Sequence, residues 1–371
     1  MGKLLRYISN IPGWRTNRKI VVIESDDWGS IRMPSLNIFE KLQKRGVDLI
    51  SRGAYRYNSY DTLAKSTDLA ALFEVLNQYK DRNGNKAKFT AVSVVANPDF
   101  KKIRESDFSH YYYEPFTETL KKYYGDDSSY LLWKEGINEG VFCPQFHGRE
   151  HLNVPLWLRN LQNQDEETLL AFSYELWGFN RKSSISKEPS YQAAFDLLNP
   201  DDMNYLASII KDGLNLFEKL FGYRAEYFVP PNGPINNNLN EISAREGIKY
   251  RSTSKIQYEP LGHGRYRRLF HYLGQKNKYG QTYITRNSFF EPSENGKDWI
   301  DSCLNDIKVA FLLHKPAIIS SHRVNYIGSL KESNRKNGLT QLSILLKSIL
   351  KNWPDVQFMT TIELGKYIRE N

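Results

Sequence analysis

Short apolar runs alternate along the chain with longer stretches in which apolar residues recur every three or four positions. The runs are rich in β-branched and aromatic residues, which is typical of strands buried on both faces, and they predict strands at 19–23, 89–96, 225–229, 248–252, 282–286, 317–321 and 357–360. The stretches with helical periodicity predict helices at 69–79, 201–221, 239–246, 298–313 and 339–350. Strands and helices that alternate in this way form βαβ units, so the sequence predicts an α/β fold with a parallel sheet.

Two segments interrupt the alternation, at about 99–139 and 155–189. Both are dense in aromatic residues, and neither is joined to its neighbours by a Gly- or Ser-rich linker. A length of 371 residues would allow two domains, but a large α/β barrel also reaches this size. We therefore expect one domain over 1–371, with the two segments as insertions at one end of a barrel.

The chain is basic, with 51 Lys and Arg against 42 Asp and Glu, a formal net charge of +9. The basic residues are dispersed, and the sequence has no RRM, zinc-finger or KH signature, so we expect no nucleic-acid partner. The charge then indicates a basic surface or an acidic substrate. The two cysteines, Cys143 and Cys303, are too few for a disulfide framework and form no CxxC zinc pattern.

The apolar runs, such as 19–23 and 316–319, are far shorter than the roughly eighteen residues of a membrane span. The basic start at 1–12 lacks the apolar core and cleavage site of a secretory signal. We expect a short terminal helix there and a cytoplasmic protein. Peripheral contact of this start with a membrane surface is the alternative.

Candidate chemistry lies at the ends of the predicted strands, where functional groups of parallel α/β folds collect. Asp26 and Asp27 follow the first strand, and adjacent carboxylates at a buried strand end repel each other unless a cation holds them. His147 and His151 have the spacing that lets two imidazoles on one helical turn reach one metal ion. A Pro-Pro-Asn-Gly turn occupies 230–233, and a further strand ends in His322. Each feature alone also fits a structural role, such as a helix cap or a buried histidine.

Taken together and in this order, these features resemble the polysaccharide deacetylase family, carbohydrate esterase family 4, also called the chitooligosaccharide deacetylase homology domain. The matching segments run from about Lys19 to Arg323. The resemblance implies a distorted (β/α) barrel of the glycoside hydrolase/deacetylase type. It also implies a carbohydrate substrate and one divalent metal ion, usually zinc, with cobalt or nickel as alternatives. The expected reaction is removal of an acetyl group from an N-acetylated or O-acetylated sugar of a polysaccharide or glycan precursor.

The resemblance also implies roles for individual residues. The metal ligands are Asp27, His147 and His151, the catalytic base is Asp26, and the general acid is His322. Metal-assisted amide hydrolysis needs three ligands with an open position, a base for water and an acid for the departing amine. The five residues fill those roles.

Further residues are expected to contact the substrate. The segment 228–233 (FVPPNG) resembles the family's oxyanion turn, so the backbone N–H of Asn232, after Pro231, is expected to bind the oxyanion. Trp28, Arg149 and Arg323 are the other expected contacts at the substrate site. Aromatic side chains of the insertions are expected to stack on sugar rings: Tyr111–Tyr113, Trp133, Trp157 and Trp177.

The chain also departs from the family at three places. The arginine that orients the base is Val229 here, its partner aspartate is missing from 251–255, and the leucine two residues before the acid histidine is Ser320. Both halves of an ion pair are thus replaced together. The residues that could hold Asp26 instead are Arg149, Arg323 or Lys255.

Three alternatives remain from the sequence. The segment 147–151 fits H-x-x-E-H, the pattern of inverzincin metalloproteases, which lies on a long helix. A glycoside hydrolase on the same barrel would pair Asp26 with a second carboxylate, namely Glu24, Glu150 or Glu175. A catalytically altered carbohydrate-binding protein would keep the aromatic residues and dispense with the reaction.

Overall fold

The computed structural model describes residues 3–125, 127–181 and 188–371, so positions 182–187 of the second predicted insertion lie outside the described residues. The strands are β1 (Ile20–Trp28), β2 (Phe89–Val94), β3 (Ala96–Pro98), β4 (Tyr113–Pro115), β5 (Phe142–Gly148), β6 (Tyr227–Phe228), β7 (Tyr250–Ser252), β8 (Ile256–Gly262), β9 (Arg265–Phe270), β10 (Thr282–Ile284), β11 (Ser288–Phe289), β12 (Ala317–His322) and β13 (Gln357–Met359).

The helices are α1 (Lys3–Asn10), α2 (Leu36–Lys44), α3 (Ala54–Tyr60), α4 (Ser66–Gln78), α5 (Phe100–Glu105), α6 (Phe116–Tyr124), α7 (Ser128–Asn138), α8 (Val154–Gln162), α9 (Glu166–Ser173), α10 (Met203–Phe221), α11 (Leu239–Arg245), α12 (Trp299–Leu312), α13 (Glu332–Asn352) and α14 (Thr361–Glu370). Every strand and helix predicted from the hydrophobic pattern overlaps one of these elements.

The main sheet is parallel throughout, in the order β10-β7-β6-β5-β2-β1-β12-β11, with β13 beside β1. Its two outer strands, β10 and β11, are separated in sequence only by 285–287. So short a connection spans at most about 14 Å, which brings the two edges of the curved sheet close together. The expected α/β fold with a distorted (β/α) barrel is therefore confirmed.

Alternate residues of the central strands fill the inside of the barrel. Ile20 and Val22 of β1 pack there with Val92 of β2 and Ile318 of β12. The opposite faces of the same strands, such as Val21 and Ile23, pack in a second cluster with apolar residues of the surrounding helices. Since both faces are covered, β1 is buried along all nine residues, as its continuous apolar run predicts.

The tryptophans of the expected insertions lie in the core. Trp133, on the helix α7 that leads from the β2 side of the sheet back to β5, is 2% exposed and packs edge-on against Trp28 and Phe142. Trp157 and Trp177 are 0% and 1% exposed. The expectation that these three rings stack on sugars is wrong, because none of the three presents a ring face to solvent.

The start of the chain is the short helix α1, as expected, and it is tied to the barrel by two lysines. Lys315 donates to the carbonyl oxygens of 12–14, and Lys255 donates to Asn10 Oδ1 over 2.8 Å. Lys255 therefore serves the terminal segment and not Asp26. In the part of the chain that the structure describes, no helix combines the length and apolar character needed to cross a membrane.

Candidate functional site

Asp27 is presented by a break at the end of β1. The pairing of β1 with β2 shifts register between Ser25 and Trp28, and Asp27 has φ 75°, a left-handed conformation that residues with a side chain rarely adopt. Because of this break, the side chains of Asp26 and Asp27 contact different groups. Trp28 turns into the core, 1% exposed, where its indole N–H donates to Ser25 Oγ, and its expected contact with substrate stays a prediction.

His147 and His151 belong to a strand end and the loop that follows, not to the helical turn that their spacing predicts. His147 lies near the end of β5, and Gly148, with φ 122°, is the last residue of that strand. A side chain at 148 would lie 3.1 Å from the Glu150 carbonyl oxygen. The inverzincin alternative is wrong, because its motif lies on a helix.

Asp27, His147 and His151 form a buried group whose ligand atoms all lie within 4.8 Å of one another. Asp27 Oδ1 is 3.3 Å from His147 Nε2 and 3.1 Å from His151 Nε2. Atoms that share one zinc ion at about 2.1 Å each stand about 3.4 Å apart at tetrahedral angles. The three side chains therefore fit one divalent ion, although their geometry does not identify the metal.

The orientation of His147 suits a metal ligand. Its Nδ1 lies 2.7 Å from the Val229 carbonyl oxygen, and a carbonyl can only accept, so Nδ1 carries the proton and Nε2 faces Asp27. Metal-ligating histidines are commonly held by such a bond on the far ring nitrogen. Val229 thus contributes its backbone to the site, although its side chain replaces the arginine that the family resemblance implies.

Charges in this group also favour a cation. Burial by itself raises the pKa of Asp27, but the adjacent His147 and His151 side chains outweigh burial and hold the pKa well below its usual value. Burial lowers the pKa of His151. An ionised carboxylate is the form of an aspartate that binds a metal ion.

Asp26 is held by Arg286, a residue that the sequence analysis does not single out. The guanidinium donates to both carboxylate oxygens of Asp26 over 2.6 Å each, and its Nε donates to Glu24 over 2.5 Å. Burial raises the pKa of Asp26, but Arg286 outweighs burial, so the pKa is lower than usual. The suggestion that Arg149, Arg323 or Lys255 holds Asp26 is therefore wrong.

Arg286 reaches the site because it lies between the two edge strands of the barrel. It follows β10 and precedes β11, at the point where the chain passes from one edge of the sheet to the other. Its Nη1 also donates to Ser320 Oγ over 3.1 Å, which accounts for the serine found where the family has leucine. Arg286 ends the predicted strand 282–286, so the rule that identified His322 could also have identified it.

His322 lies at the end of β12, directly across the register from Asp26. Its Nδ1 is 2.6 Å from Glu291 Oε1, and its Nε2 is 4.0 Å from Asp26 Oδ2. Burial lowers the pKa of His322, but Glu291 more than compensates, and the pKa rises to about 9. Arg56 donates to the other oxygen of Glu291 over 2.7 Å and fixes it against the imidazole. Neither Glu291 nor Arg56 was predicted.

The Pro-Pro-Asn-Gly turn lies beside the metal-binding group. Pro231 is buried, whereas Asn232 is exposed and left-handed, with φ 56°. The Gly233 N–H donates to the Pro230 carbonyl oxygen over 3.0 Å and closes the turn. Since Val229 immediately precedes it and holds His147, the turn brings the Asn232 backbone to the same end of the barrel as the metal ligands.

Arg149 and Arg323, the two arginines expected at the substrate, form buried ion pairs instead. Arg149 donates to both oxygens of Glu150 over 2.7 and 2.9 Å, and its guanidinium lies 4.2 Å from the ring of Tyr113. Arg323 is 0% exposed and donates to Asp61 over 3.0 Å. Each guanidinium is engaged by a buried carboxylate, and the contact of these two arginines with substrate stays a prediction.

The carboxylates proposed to act with Asp26 in a glycoside hydrolase are engaged as well. Glu24 is 0% exposed and accepts from Tyr227, Thr361 and Arg286. Glu150 binds Arg149, and Glu175 pairs with Lys122 and Tyr123. The second carboxylate that such an enzyme needs across the sugar is thus not supplied by any of the three.

No family model matches the sequence, and no curated protein matches it. Among solved structures, the allantoinase Puue is 12% identical over all of this chain and 97% of its own, with a TM-score of 0.47. A protein from Mycobacterium smegmatis assigned as a polysaccharide deacetylase is 12% identical over 97% of this chain and 93% of its own, with a TM-score of 0.46. A second protein assigned as a polysaccharide deacetylase, from Pseudomonas aeruginosa PAO1, is 10% identical over 96% of this chain and 92% of its own, with a TM-score of 0.45.

Polysaccharide deacetylases are thus among the solved structures to which this chain is similar. Identities of 10 to 12% do not show that two proteins catalyse the same reaction.

Proposed function

We propose that the chain is a metal-dependent hydrolase that removes an acetyl group from an N-acetylated sugar of a polysaccharide or glycan precursor, with an O-acetylated sugar as the related substrate. The observation that carries the proposal is the buried group Asp27, His147 and His151, which lies directly beside the ionised Asp26 held by Arg286. Three ligands together with an adjacent base are the components of metal-assisted hydrolysis.

A divalent ion bound by Asp27, His147 and His151 would polarise the acyl carbonyl and make an attacking water more acidic. The chain itself supplies the proton acceptor. Asp26 is 5% exposed and its pKa is lowered, so it is ionised at neutral pH. Because both of its oxygens are hydrogen-bonded to Arg286, its position is fixed, and it accepts the proton of the water without reorganising.

His322 is the proton donor in this proposal. With Nδ1 bonded to Glu291, its Nε2 end faces Asp26 and the reacting groups. A pKa of about 9 keeps the imidazole protonated at neutral pH. It donates that proton to the nitrogen of the departing amine, which otherwise leaves as an unstable anion. Asp26 and His322 thus act from two neighbouring strands.

The turn at 230–233 has the role of an oxyanion site in this proposal. The backbone N–H of Asn232 is at the corner of a turn that begins one residue after the carbonyl holding His147. A backbone N–H needs no side-chain reorganisation to bind a developing negative charge. The exposed Asn232 side chain is free to vary without loss of this donor.

Acetate release is the experiment that tests the proposal. The purified chain is stripped with a chelator, reloaded with Zn²⁺, Co²⁺ or Ni²⁺, and incubated with N-acetylglucosamine oligomers, N-acetylglucosamine 6-phosphate and O-acetylated xylo-oligosaccharides. We expect acetate release that is lost on stripping and restored by metal. Release that survives the chelator, or no release from any acetylated sugar with any metal, would overturn the proposal.

A further inference from the structure

Arg32 is a buried cation enclosed by two aromatic rings beside the site. It is 5% exposed, and its guanidinium carbon lies 5.3 Å from the ring centroid of Tyr57 and 5.7 Å from that of Trp177. The indole N–H of Trp177 donates to the Ile31 carbonyl oxygen over 3.1 Å, so the ring is fixed next to the arginine. Gly178 leaves the room that the side chain needs, since a Cβ there would lie 3.2 Å from Arg32 Nε.

No residue that the structure describes accepts a hydrogen bond from this guanidinium. Its Nε is buried without a hydrogen-bond partner, and in the described ranges 3–125, 127–181 and 188–371 no ion pair involves Arg32. The nearby carboxylates are committed elsewhere, because Asp61 accepts from Arg323 and Asp27 contacts the two histidines. A buried charge without a hydrogen-bonded partner is costly. Asp27 and Asp61 attract Arg32 without bonding to it, so its guanidinium remains available to an acceptor from a ligand.

The rings on either side of Arg32 both touch the reacting groups. Tyr57 packs edge-on against His322, with centroids 5.7 Å apart, and Trp177 stacks on His151, with centroids 6.0 Å apart. Arg32 is therefore one ring away from the proposed acid and one ring away from a proposed metal ligand. A group bound at Arg32 would belong to the same small molecule as the group that reacts.

We propose that Arg32 binds a carboxylate or phosphate group of the substrate, so that the acylated sugar hydrolysed here is an anionic one. This inference rests on the proposed function for the identity of the reacting group, but the anion site itself does not. A dication at Asp27 would add positive charge next to an arginine that already lacks a partner, and an anionic ligand would balance both. The net charge of +9 also favours the approach of such a ligand.

Binding to the metal-stripped protein tests the anion site apart from the reaction. Titrations monitored by NMR use glucuronate, glucose 6-phosphate and glucose, with wild type, Arg32→Met and Arg32→Lys. Arg104→Met is the matched control, because Arg104 is exposed and lies over the ring of Phe172 at 5.4 Å. We expect wild type to bind an anionic sugar and Arg32→Met to bind it about 10- to 100-fold more weakly, as for the loss of hydrogen bonds to a charged group.

The other measurements separate a binding role from a structural one. Arg32→Lys keeps the positive charge but lacks the planar guanidinium, so we expect its loss of affinity for the anionic sugar to be smaller than that of Arg32→Met. The melting temperature of Arg32→Met should be unchanged or higher, since the variant removes an unpaired buried charge. The anionic sugar that binds with the higher affinity shows whether the bound group is a carboxylate or a phosphate. Equal binding of glucose, unchanged affinity in Arg32→Met, or no binding of either anionic sugar by wild type overturns the proposal.

Acetate release then distinguishes the two proposals. An Arg32-dependent anion site without acetate release from any sugar means that the proposed function fails and the anion site stands. Acetate release in which an acetylated sugar that carries the more tightly bound anionic group and its uncharged counterpart have equal kcat/KM in wild type and in Arg32→Met means that the reaction stands and the anion site fails.

Discussion

Arg286 donates one hydrogen bond to each carboxylate oxygen of Asp26, both 2.6 Å long, across 260 positions of sequence. The same guanidinium donates to Glu24, so one cation satisfies two buried carboxylates. The arginine that the family resemblance implies at 229 is thus replaced by one that enters from the junction of the barrel edges. We infer that Arg286 is a positioning residue, which holds the proposed base ionised and in place.

Replacing this arginine is the first test. Arg286→Met should lower kcat by about 10- to 100-fold, as for other groups that orient a site, and should leave the metal bound. Because Arg286 lowers the pKa of Asp26, its loss should move the acidic limb of the pH–rate profile to higher pH. Arg286→Lys should show a smaller change of the same sign. An unchanged acidic limb in Arg286→Met contradicts the positioning role.

The same variant should also be less stable, by about 3 to 5 kcal/mol, because two buried carboxylates lose their cation. A carboxylate whose pKa is lowered in the folded protein stabilises it above the unfolded pKa, about 3.9 for Asp. That contribution is lost as the pH falls through the folded value. In urea unfolding, the free energy of unfolding should therefore be higher for wild type than for Arg286→Met at pH 7. This difference should become smaller as the pH is lowered.

The alkaline side of the pH profile depends on Glu291. Its carboxylate raises the pKa of His322 to about 9, and a general acid is lost as the pH rises through its pKa. Glu291→Gln should therefore move the alkaline limb to lower pH. Glu118→Gln, at an exposed pair with Lys121, is the control and should leave the limb in place. An alkaline limb that stays unchanged in Glu291→Gln would mean that His322 is not the acid.

Metal content tests the ligand set independently of any substrate. Wild type reloaded with zinc should retain about one equivalent through gel filtration, and a His147→Ala/His151→Ala variant should retain almost none. His110→Ala removes an exposed histidine and should bind zinc like wild type. Equal zinc in the double variant and in wild type would remove Asp27, His147 and His151 as the metal site.

The tryptophans of the predicted insertions should affect stability and not substrate affinity. Trp133 is 2% exposed and enclosed by other aromatic rings, so Trp133→Ala should destabilise the fold by about 3 to 5 kcal/mol. Its KM, measured where the variant is still folded, should match that of wild type. Tyr258→Ala replaces a side chain that is 58% exposed and should change neither the stability nor the KM. A raised KM with unchanged stability in Trp133→Ala would restore the sugar-stacking interpretation.

Much of the fold could be predicted because buried parallel strands are marked by local composition. The run at 19–23 predicts β1, and the run at 317–321 predicts the strand that carries His322. The hairpin of β8 and β9 was not predicted, because its burial does not follow the usual pattern of a strand. In β8 the apolar Ile256 and Tyr258 are exposed whereas the polar Gln257 and Glu259 are buried, and β9 is exposed along most of its length.

The site residues that were predicted are those that lie in short sequence motifs. Asp26, Asp27, His147, His151 and His322 occur in short, recognisable segments. Arg286 and Glu291 have no such segment, and their partners are set by which strands meet when the barrel closes. The suggestion that Arg149 or Arg323 holds Asp26 failed for a related reason, since charge in a motif does not reveal whether another buried carboxylate already binds it.

The measurement that tests the central claim most directly is acetate release by Asp26→Asn and His322→Ala, with zinc content determined on the same samples. The account predicts that both variants keep zinc and lose kcat by about two to four orders of magnitude, the usual worth of a general base or acid. If both variants release acetate from an N-acetylated sugar at the wild-type rate, the proposed mechanism is contradicted.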